Sequence, residues 1–296
     1  MYNRNMEYLI TCTSTCDLND EILKSNNINY VSFKFMIDGN EYEDNFFKDY
    51  DYEKFYNDIE NGLKPTTSQV GYGAYLEFFE EILKEGKDII HICLSSGISG
   101  DYMTARSVAE ELNEIHDNKI YVVDSLGASS GYGLLVLLAK NNQEKKMSFK
   151  ENINWLEDNK LKIQHLFIST DLSSYVRGGR MSSMAGFVGT ALKICPLMYM
   201  PKDGTLNVLE KIRTKQKAMQ ALVSKMYDLI PQKEEYDGYC MMSTSLMDDD
   251  ANKLAIMIKE RFPKIEDIKI YHVGTTIGSH TGKGTIALYF IGESRE

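Results

Sequence analysis

Hydroxyl and glycine residues gather in four short segments of this chain, and one of those segments carries a histidine. Ser14 stands in a small-polar run after residues 8–12. Thr66-Thr67-Ser68 follows Pro65, and Ser95-Ser96-Gly97-Ile98-Ser99-Gly100 follows residues 89–94. The fourth, Thr275-Thr276-Ile277-Gly278-Ser279-His280-Thr281-Gly282-Lys283-Gly284, lies near the C-terminus. Such groups suit a small anion, because hydroxyls and an imidazole donate hydrogen bonds and free N–H groups at a helix start add to them. Each segment alone reads as a helix cap or a turn. Several in one chain shift the balance towards a shared oxyanion site, with His280 as its most informative member.

Other patterns point to competing chemistry. Gly127-Ala128-Ser129-Ser130-Gly131 fits G-x-S-x-G after a strand and before a helix, as in a hydrolase nucleophile elbow. Asp171 or Asp248, then His280, would complete the order Ser, Asp, His. A small-residue helix start packed on a sheet explains the same five residues, and that reading ranks ahead. Gly282-Lys283-Gly284 has Ile277 where a phosphate loop needs glycine and Gly284 where it needs a hydroxyl. No G-x-G-x-x-G follows the first strand, so autonomous kinase or dehydrogenase chemistry is disfavoured. Arginines beside glycine in Tyr175-Val176-Arg177-Gly178-Gly179-Arg180-Met181-Ser182, and in Glu210-Lys211-Ile212-Arg213-Thr214-Lys215, can clamp a carboxylate or phosphate. Pairing with the chain's many surface acids is the commoner outcome for such arginines. His91 and His272 lie in apolar strand patterns and read as core residues.

Composition excludes several partners. The 296 residues hold 33 lysines and arginines against 43 aspartates and glutamates, a net charge of −10. Nucleic acid and anionic membranes need a clustered positive surface, so neither is expected as the main partner. Residues 1–7 contain no apolar leader, and the densest apolar run, 134–139, is too short to span a bilayer. The five cysteines and five histidines lack metal-site spacing, which predicts reduced thiols, a cytoplasmic location and no structural metal. A mean hydropathy of −0.33 gives no sign of a lipid ligand.

Short β-rich runs alternate with helical patterns from end to end, which predicts an α/β fold of parallel or mixed sheets flanked by helices. Strands are expected at 8–12, 31–37, 89–94, 120–123, 163–169, 239–244, 268–273 and 285–291. Asp38-Gly39-Asn40 reads as a hairpin turn, and 197–200 with 205–212 as a hairpin around Asp203-Gly204. Tyr75, Phe78, Phe79, Ile82 and Leu83 mark one amphipathic helix. Met184, Phe187, Val188, Ala191, Leu192 and Cys195 mark another, ended by Pro196. Polar residues 141–146 read as a linker near the midpoint, giving an N-terminal α/β domain over 1–146 and a C-terminal one over 147–296.

Taken together, the loops resemble the DegV family, the fatty-acid-binding proteins that act as acyl carriers for bacterial fatty acid kinase. The resemblance covers essentially the whole chain. It rests on Pro65-Thr66-Thr67-Ser68-Gln69, Ser95 to Gly100, Asp124-Ser125 with Ser129 and Gly133, Gly178-Gly179-Arg180-Met181, Asp203-Gly204 with Lys211-Ile212-Arg213, and Ile277 to Gly282. It implies a two-domain fold that buries one long-chain fatty acid between domains, with no cofactor and no turnover of its own. The family's carboxylate contacts fall on Thr67, Ser96 and His280, with Ser14 and Ser68 as polar neighbours. A separate ATP-binding kinase subunit would phosphorylate the carboxylate to an acyl phosphate, and Arg177 or Arg180 and Arg213 match positions that engage that partner or the phosphoryl group. The apolar stripe Met184, Phe187, Val188 and Ala191 suits a tunnel wall, with ordinary core packing the better reading of any one of these residues. The chain departs from the family pattern at Thr13-Ser14, where Asp-Ser is usual, and at Gly282-Lys283-Gly284, where Gly-Pro-Gly is usual. Val70-Gly71 stands in place of Pro-Ser. The alternative function is a serine esterase or thioesterase built on Ser129.

Overall fold

The structure, a computed structural model, describes residues 7–181 and 194–296. The N-terminal half runs β1 (Tyr8–Thr13), α1 (Asp20–Ser25), β2 (Asn29–Val31), β3 (Lys34–Ile37), β4 (Asn40–Glu43), α2 (Tyr52–Glu60) and β5 (Thr66–Ser68). It continues through α3 (Tyr72–Leu83), β6 (Asp88–Cys93), α4 (Asp101–Ile115), β7 (Ile120–Asp124) and α5 (Ser129–Glu144). Then come α6 (Phe149–Asn159), β8 (Ile163–Ser169), α7 (Ser173–Gly178), β9 (Leu197–Tyr199), β10 (Asn207–Glu210) and α8 (Lys215–Leu229). The chain closes with β11 (Cys240–Thr244), α9 (Asp248–Arg261), β12 (Lys269–His272), α10 (Thr275–Thr281) and β13 (Thr285–Ile291). The helix expected from Met184 lies outside the described residues.

β1 and β6 are buried at every position, as strands covered on both faces must be. They form an all-parallel sheet in the order β2-β1-β6-β7. The second sheet is mixed, in the order β10-β9-β8-β13-β11-β12, with β11 and β12 its parallel pair. A third, antiparallel sheet, β4-β3-β5, is closed by the two-residue turn Asp38-Gly39, both at positive φ (50° and 74°). That geometry matches the twist of a tight hairpin.

Two sequence expectations change. Residues 31–37 are not one strand: β2 ends at Val31, the Phe33 amide donates to Ser14 Oγ at 3.0 Å, and β3 begins in the small sheet. Residues 141–146 are not an open linker, because α5 continues to Glu144. Its buried Asn142 donates to Asn152 Oδ1 of α6 at 3.0 Å, which gives this polar stretch a packed partner. α5 packs on β1 and also on β8, β11 and β13, so one helix serves both sheets. A single apolar cluster correspondingly joins Ile10, Ile90 and Val123 to Met198, Met241 and Tyr289 across the halves. Among the described residues, no helix is long and apolar enough to cross a membrane.

Candidate functional site

β8 and β13 pair antiparallel, with Ser169 opposite Thr285, Phe167 opposite Ala287 and His165 opposite Tyr289. Side chains alternate along a strand, so His165, Phe167, Thr285, Ala287 and Tyr289 share the face turned towards the N-terminal half. Phe33, Leu94, Ile98, Ala128 and Ser129 come from that half and complete the wall of a mostly apolar cavity of 390 Å³. This volume lies in the range of roughly 300–1,000 Å³ usual for small-molecule sites.

At one end the cavity meets Thr67 and Ser68 of β5, His280 and Thr281 of α10, Ser99 and Arg180. Thr67 Oγ1 and His280 Nε2 are 2.8 Å apart and join segments 213 residues distant in sequence. His280 Nδ1 is buried against Gly178 without a hydrogen-bond partner. Burial, reinforced by the Arg180 and Arg177 cations, pushes the imidazole down to about 4, so it is neutral near pH 7. A carboxylate at this end would find the Thr67 hydroxyl, an imidazole N–H and a nearby guanidinium. These groups can pair its oxygens without a permanently buried cation.

The sequence-predicted residues do not all converge. Thr67, Ser68, His280 and Arg180 line the cavity; Ser14 and Ser96 do not. Ser14 is fully buried behind the wall. Ser96 is exposed, its amide donating to Asp124 Oδ1 at 3.1 Å. The loop is turned by its contact with the β9–β10 hairpin: Ser95 Oγ donates to the Gly204 carbonyl at 2.8 Å, and Gly97 presses on the Asp203 and Gly204 backbone. That turn brings Ser99, not Ser96, onto the wall. Arg177 donates to Ser174 Oγ at 3.0 Å and to the Ser279 carbonyl at 3.4 Å, whereas Arg180 donates to the Gly178 carbonyl at 2.7 Å. Arg213 is exposed just before α8 and lies off the wall. Lys283 pairs with Glu60 of α2 at 2.6 Å. The stripe from Met184 to Ala191 lies outside the described residues.

Ser129 does line the cavity, at φ +54° on the first residue of α5. Its hydroxyl donates to the Asp17 carboxylate and lies 3.2 Å from Ser243 Oγ. The two cavity histidines bond elsewhere, His280 to Thr67 and His165 Nε2 to the Ala128 amide at 3.3 Å. Asp171 caps Ser173, and Asp248 sits 3.6 Å from His272. No imidazole is supplied to Ser129, so the geometry of a serine triad is not assembled.

Sequence reading missed the support of α10. Asp17 and Asp44 are both buried beside Gly274. Asp44 accepts from Thr275 Oγ1 at 2.9 Å, and the Thr276 amide also favours its ionised form. Burial pushes both carboxyls up, and the Asp44 charge raises Asp17 further. The pair thus receives the first turn of the helix that carries His280, and neither acid stood out in the sequence. His165 was also missed, although the period of two in residues 163–169 places it on the face of Phe167. His91 is a core residue as expected, 2.8 Å from Thr11 Oγ1. His272 is not, because β12 is the sheet edge and leaves its ring exposed, stacked on Tyr52 at 3.8 Å.

Comparison with known proteins places this arrangement among relatives. A family model described as an uncharacterised protein, DegV family, matches residues 8–293. A DegV domain-containing protein of Clostridium perfringens is 36% identical over 291 residues, 98% of this chain and 99% of the relative. The fold is similar to that of a Thermus thermophilus DegV family protein described for fatty acid binding, with a TM-score of 0.88 and 23% identity over 97% of this chain and 100% of that one. A DegV family protein of Eubacterium eligens loaded with heptadecanoic acid superposes with a TM-score of 0.83 and 21% identity, over 97% and 100% of the two chains.

Proposed function

Because the chain belongs to the DegV family, we propose that it is a carrier that holds one long-chain fatty acid in the cavity between β8–β13 and the N-terminal half. The carboxylate would lie at Thr67 and His280, with Ser68 beside it and Ser14 and Ser96 as supporting loop residues. A separate ATP-binding kinase subunit would phosphorylate it to an acyl phosphate, engaging Arg177 or Arg180 and Arg213. On this reading the protein is a cytoplasmic binding subunit without turnover or cofactor, divided into domains at 146/147.

The observation that carries the reading is the Thr67–His280 contact on the wall of a mostly apolar cavity. Burying roughly a dozen methylenes at about 0.8 kcal/mol each gives on the order of 10 kcal/mol before ordering costs, so the tail supplies most of the affinity. The head group adds orientation, since an unpaired buried carboxylate would cost several kcal/mol. The neutral imidazole leaves the carboxylate its charge and hence its nucleophilicity. Organic extraction of detergent-free protein followed by mass spectrometry tests this: a stoichiometric fatty acid is expected, and its absence overturns the reading. Labelling of Ser129 by a fluorophosphonate probe would favour the hydrolase instead.

A further inference from the structure

A second, smaller cavity of 180 Å³ opens where the turn after β1 meets the segment after β4 and the edge strand β12. Phe46, Phe47, Tyr271 and His272 line it, together with Asp17 and Gly274. The wall holds no lysine or arginine, and Lys48, next to the two phenylalanines in sequence, is paired with Asp20 at 2.7 Å. Partial burial lowers the His272 imidazole below its usual range, so it adds no cation near pH 7. Asp248 lies 3.6 Å from His272 Nε2. The charge here is therefore acidic, on apolar and aromatic walls.

Asp17 is the unusual member. It is 3% exposed, and its two oxygens differ. Oδ2 accepts from Ser129, whereas Oδ1 has no hydrogen-bond partner. Oδ1 lies against Gly274, where any Cβ would collide with it, so this glycine keeps the oxygen open. Because Gly274 and Asp17 both line the small cavity, the unpaired oxygen stands at its wall. Asp44, buried beside the same glycine, leaves Oδ2 unpartnered as well. Burial and the Asp44 charge push the Asp17 carboxyl up, so the chain by itself compensates this charge poorly. Phe46 and Phe47 complete the wall at φ 61° and 63°, a backbone region that bulky residues rarely adopt. Their rings are fixed by neighbours, Phe46 against Tyr30 at 5.0 Å and Phe47 against Tyr52 at 5.1 Å.

We propose that this cavity binds a short alkylammonium ion, its N–H groups on Asp17 Oδ1 and its alkyl stem against Phe46, Phe47 and Tyr271. An ammonium supplies the donor that Oδ1 lacks and offsets the charge that Asp17 shares with Asp44, while aromatic walls attract cations and bury the stem. A metal ion fits less well. Among the described residues no three acidic, histidine or cysteine side chains converge on one point, and aromatic walls offer few of the oxygens that a hard cation needs. The volume lies below the roughly 300–1,000 Å³ of a drug-sized site, which limits the stem to a few carbons. The site is separate from the larger cavity, whose wall Asp17 reaches through Ser129, so the inference does not rest on the lipid reading.

Calorimetric titration of the full-length protein with n-butylammonium chloride tests this, with butan-1-ol, sodium chloride and calcium chloride as separate titrants. Saturable binding of n-butylammonium is expected, with a melting temperature raised by roughly 3 °C at tenfold excess over Kd. Asp17→Asn keeps the size of the side chain but removes its charge, and should weaken binding at least about tenfold. Phe46→Gly removes one ring at a position where glycine is unstrained, and should weaken binding about threefold. A thermal melt accompanies each variant, and if Asp17→Asn does not fold, Phe46→Gly decides. Absence of saturable binding, equal binding of butan-1-ol, sodium or calcium, or wild-type affinity in the folded variants overturns the assignment. Fatty acid extracted from the same samples bears on the lipid reading alone.

Discussion

His280 and His165 line the same cavity, yet they are held by different kinds of partner. His280 sits on a helix of seven residues, touches Thr67 from the other half of the chain, and leaves Nδ1 without a partner. His165 sits within a central strand, with both nitrogens engaged by backbone groups. Both are neutral because both are buried. The difference teaches that residue type does not set the polarity of a wall. What matters is whether the protein already satisfies each donor and acceptor.

The contrast can be broken most directly at the head-group end. Thr67→Ala combined with His280→Ala removes two donors to a carboxylate, each worth about 1.5–3 kcal/mol when the partner is charged, so fatty-acid affinity should fall at least about a hundredfold. A competition assay that finds wild-type affinity in the double variant would show that the head group lies elsewhere. Arg180→Ala should weaken uptake less than the double variant does, while lowering acyl phosphate formation with a cognate kinase subunit by about tenfold, a loss of ~1.4 kcal/mol. Equal phosphorylation rates would remove Arg180 from the partner surface. Ser96→Ala sharpens the same comparison, because its exposed position predicts a smaller effect on uptake than Thr67→Ala.

A third test uses pH. The folded pKa of His280, about 4, lies below the unfolded value of roughly 6.5, so the unfolded state takes up the proton first. Its contribution to stability is therefore complete above about pH 6.5 and is lost as pH falls towards 4. His280→Gln should flatten the melting temperature over that window by a few degrees, and an unchanged acid limb would assign the effect to other groups. The smallest effect is expected at the Lys283–Glu60 pair, in which a half-buried lysine meets an exposed glutamate. Lys283→Ala should cost less than about 1 kcal/mol in chemical denaturation. A larger loss would mean that this ion pair, and not the buried acids, holds α10 in place.

Much of the fold was legible. The buried runs at 8–12, 89–94 and 163–169 gave strands where expected, and Asp38-Gly39 gave the tight turn its positive-φ residues demand. Residues 275–281 read as a glycine-rich loop because Thr-Thr-Ile-Gly-Ser-His-Thr has poor helix propensity. The helix forms because Asp44, 231 residues away, receives the Thr275 hydroxyl, and Tyr56 packs on Gly278. Local composition cannot report a partner that distant. The position of Ser96 was hidden for a similar reason, since the Gly204 carbonyl decides which serine of the 95–100 loop faces inwards.

By itself the sequence determined the α/β alternation and the family, because strand periodicity, turn residues and the ordered loop motifs are local properties. Only the tertiary structure decided which of those loops meet. Thr67 and His280 join across the two halves, while Ser14 and Ser96 are drawn off to other partners. The physical reason is that hydrogen bonds and burial are satisfied between segments far apart in sequence. The same serine or histidine becomes a ligand group or a wall according to what the rest of the chain has already paired with it.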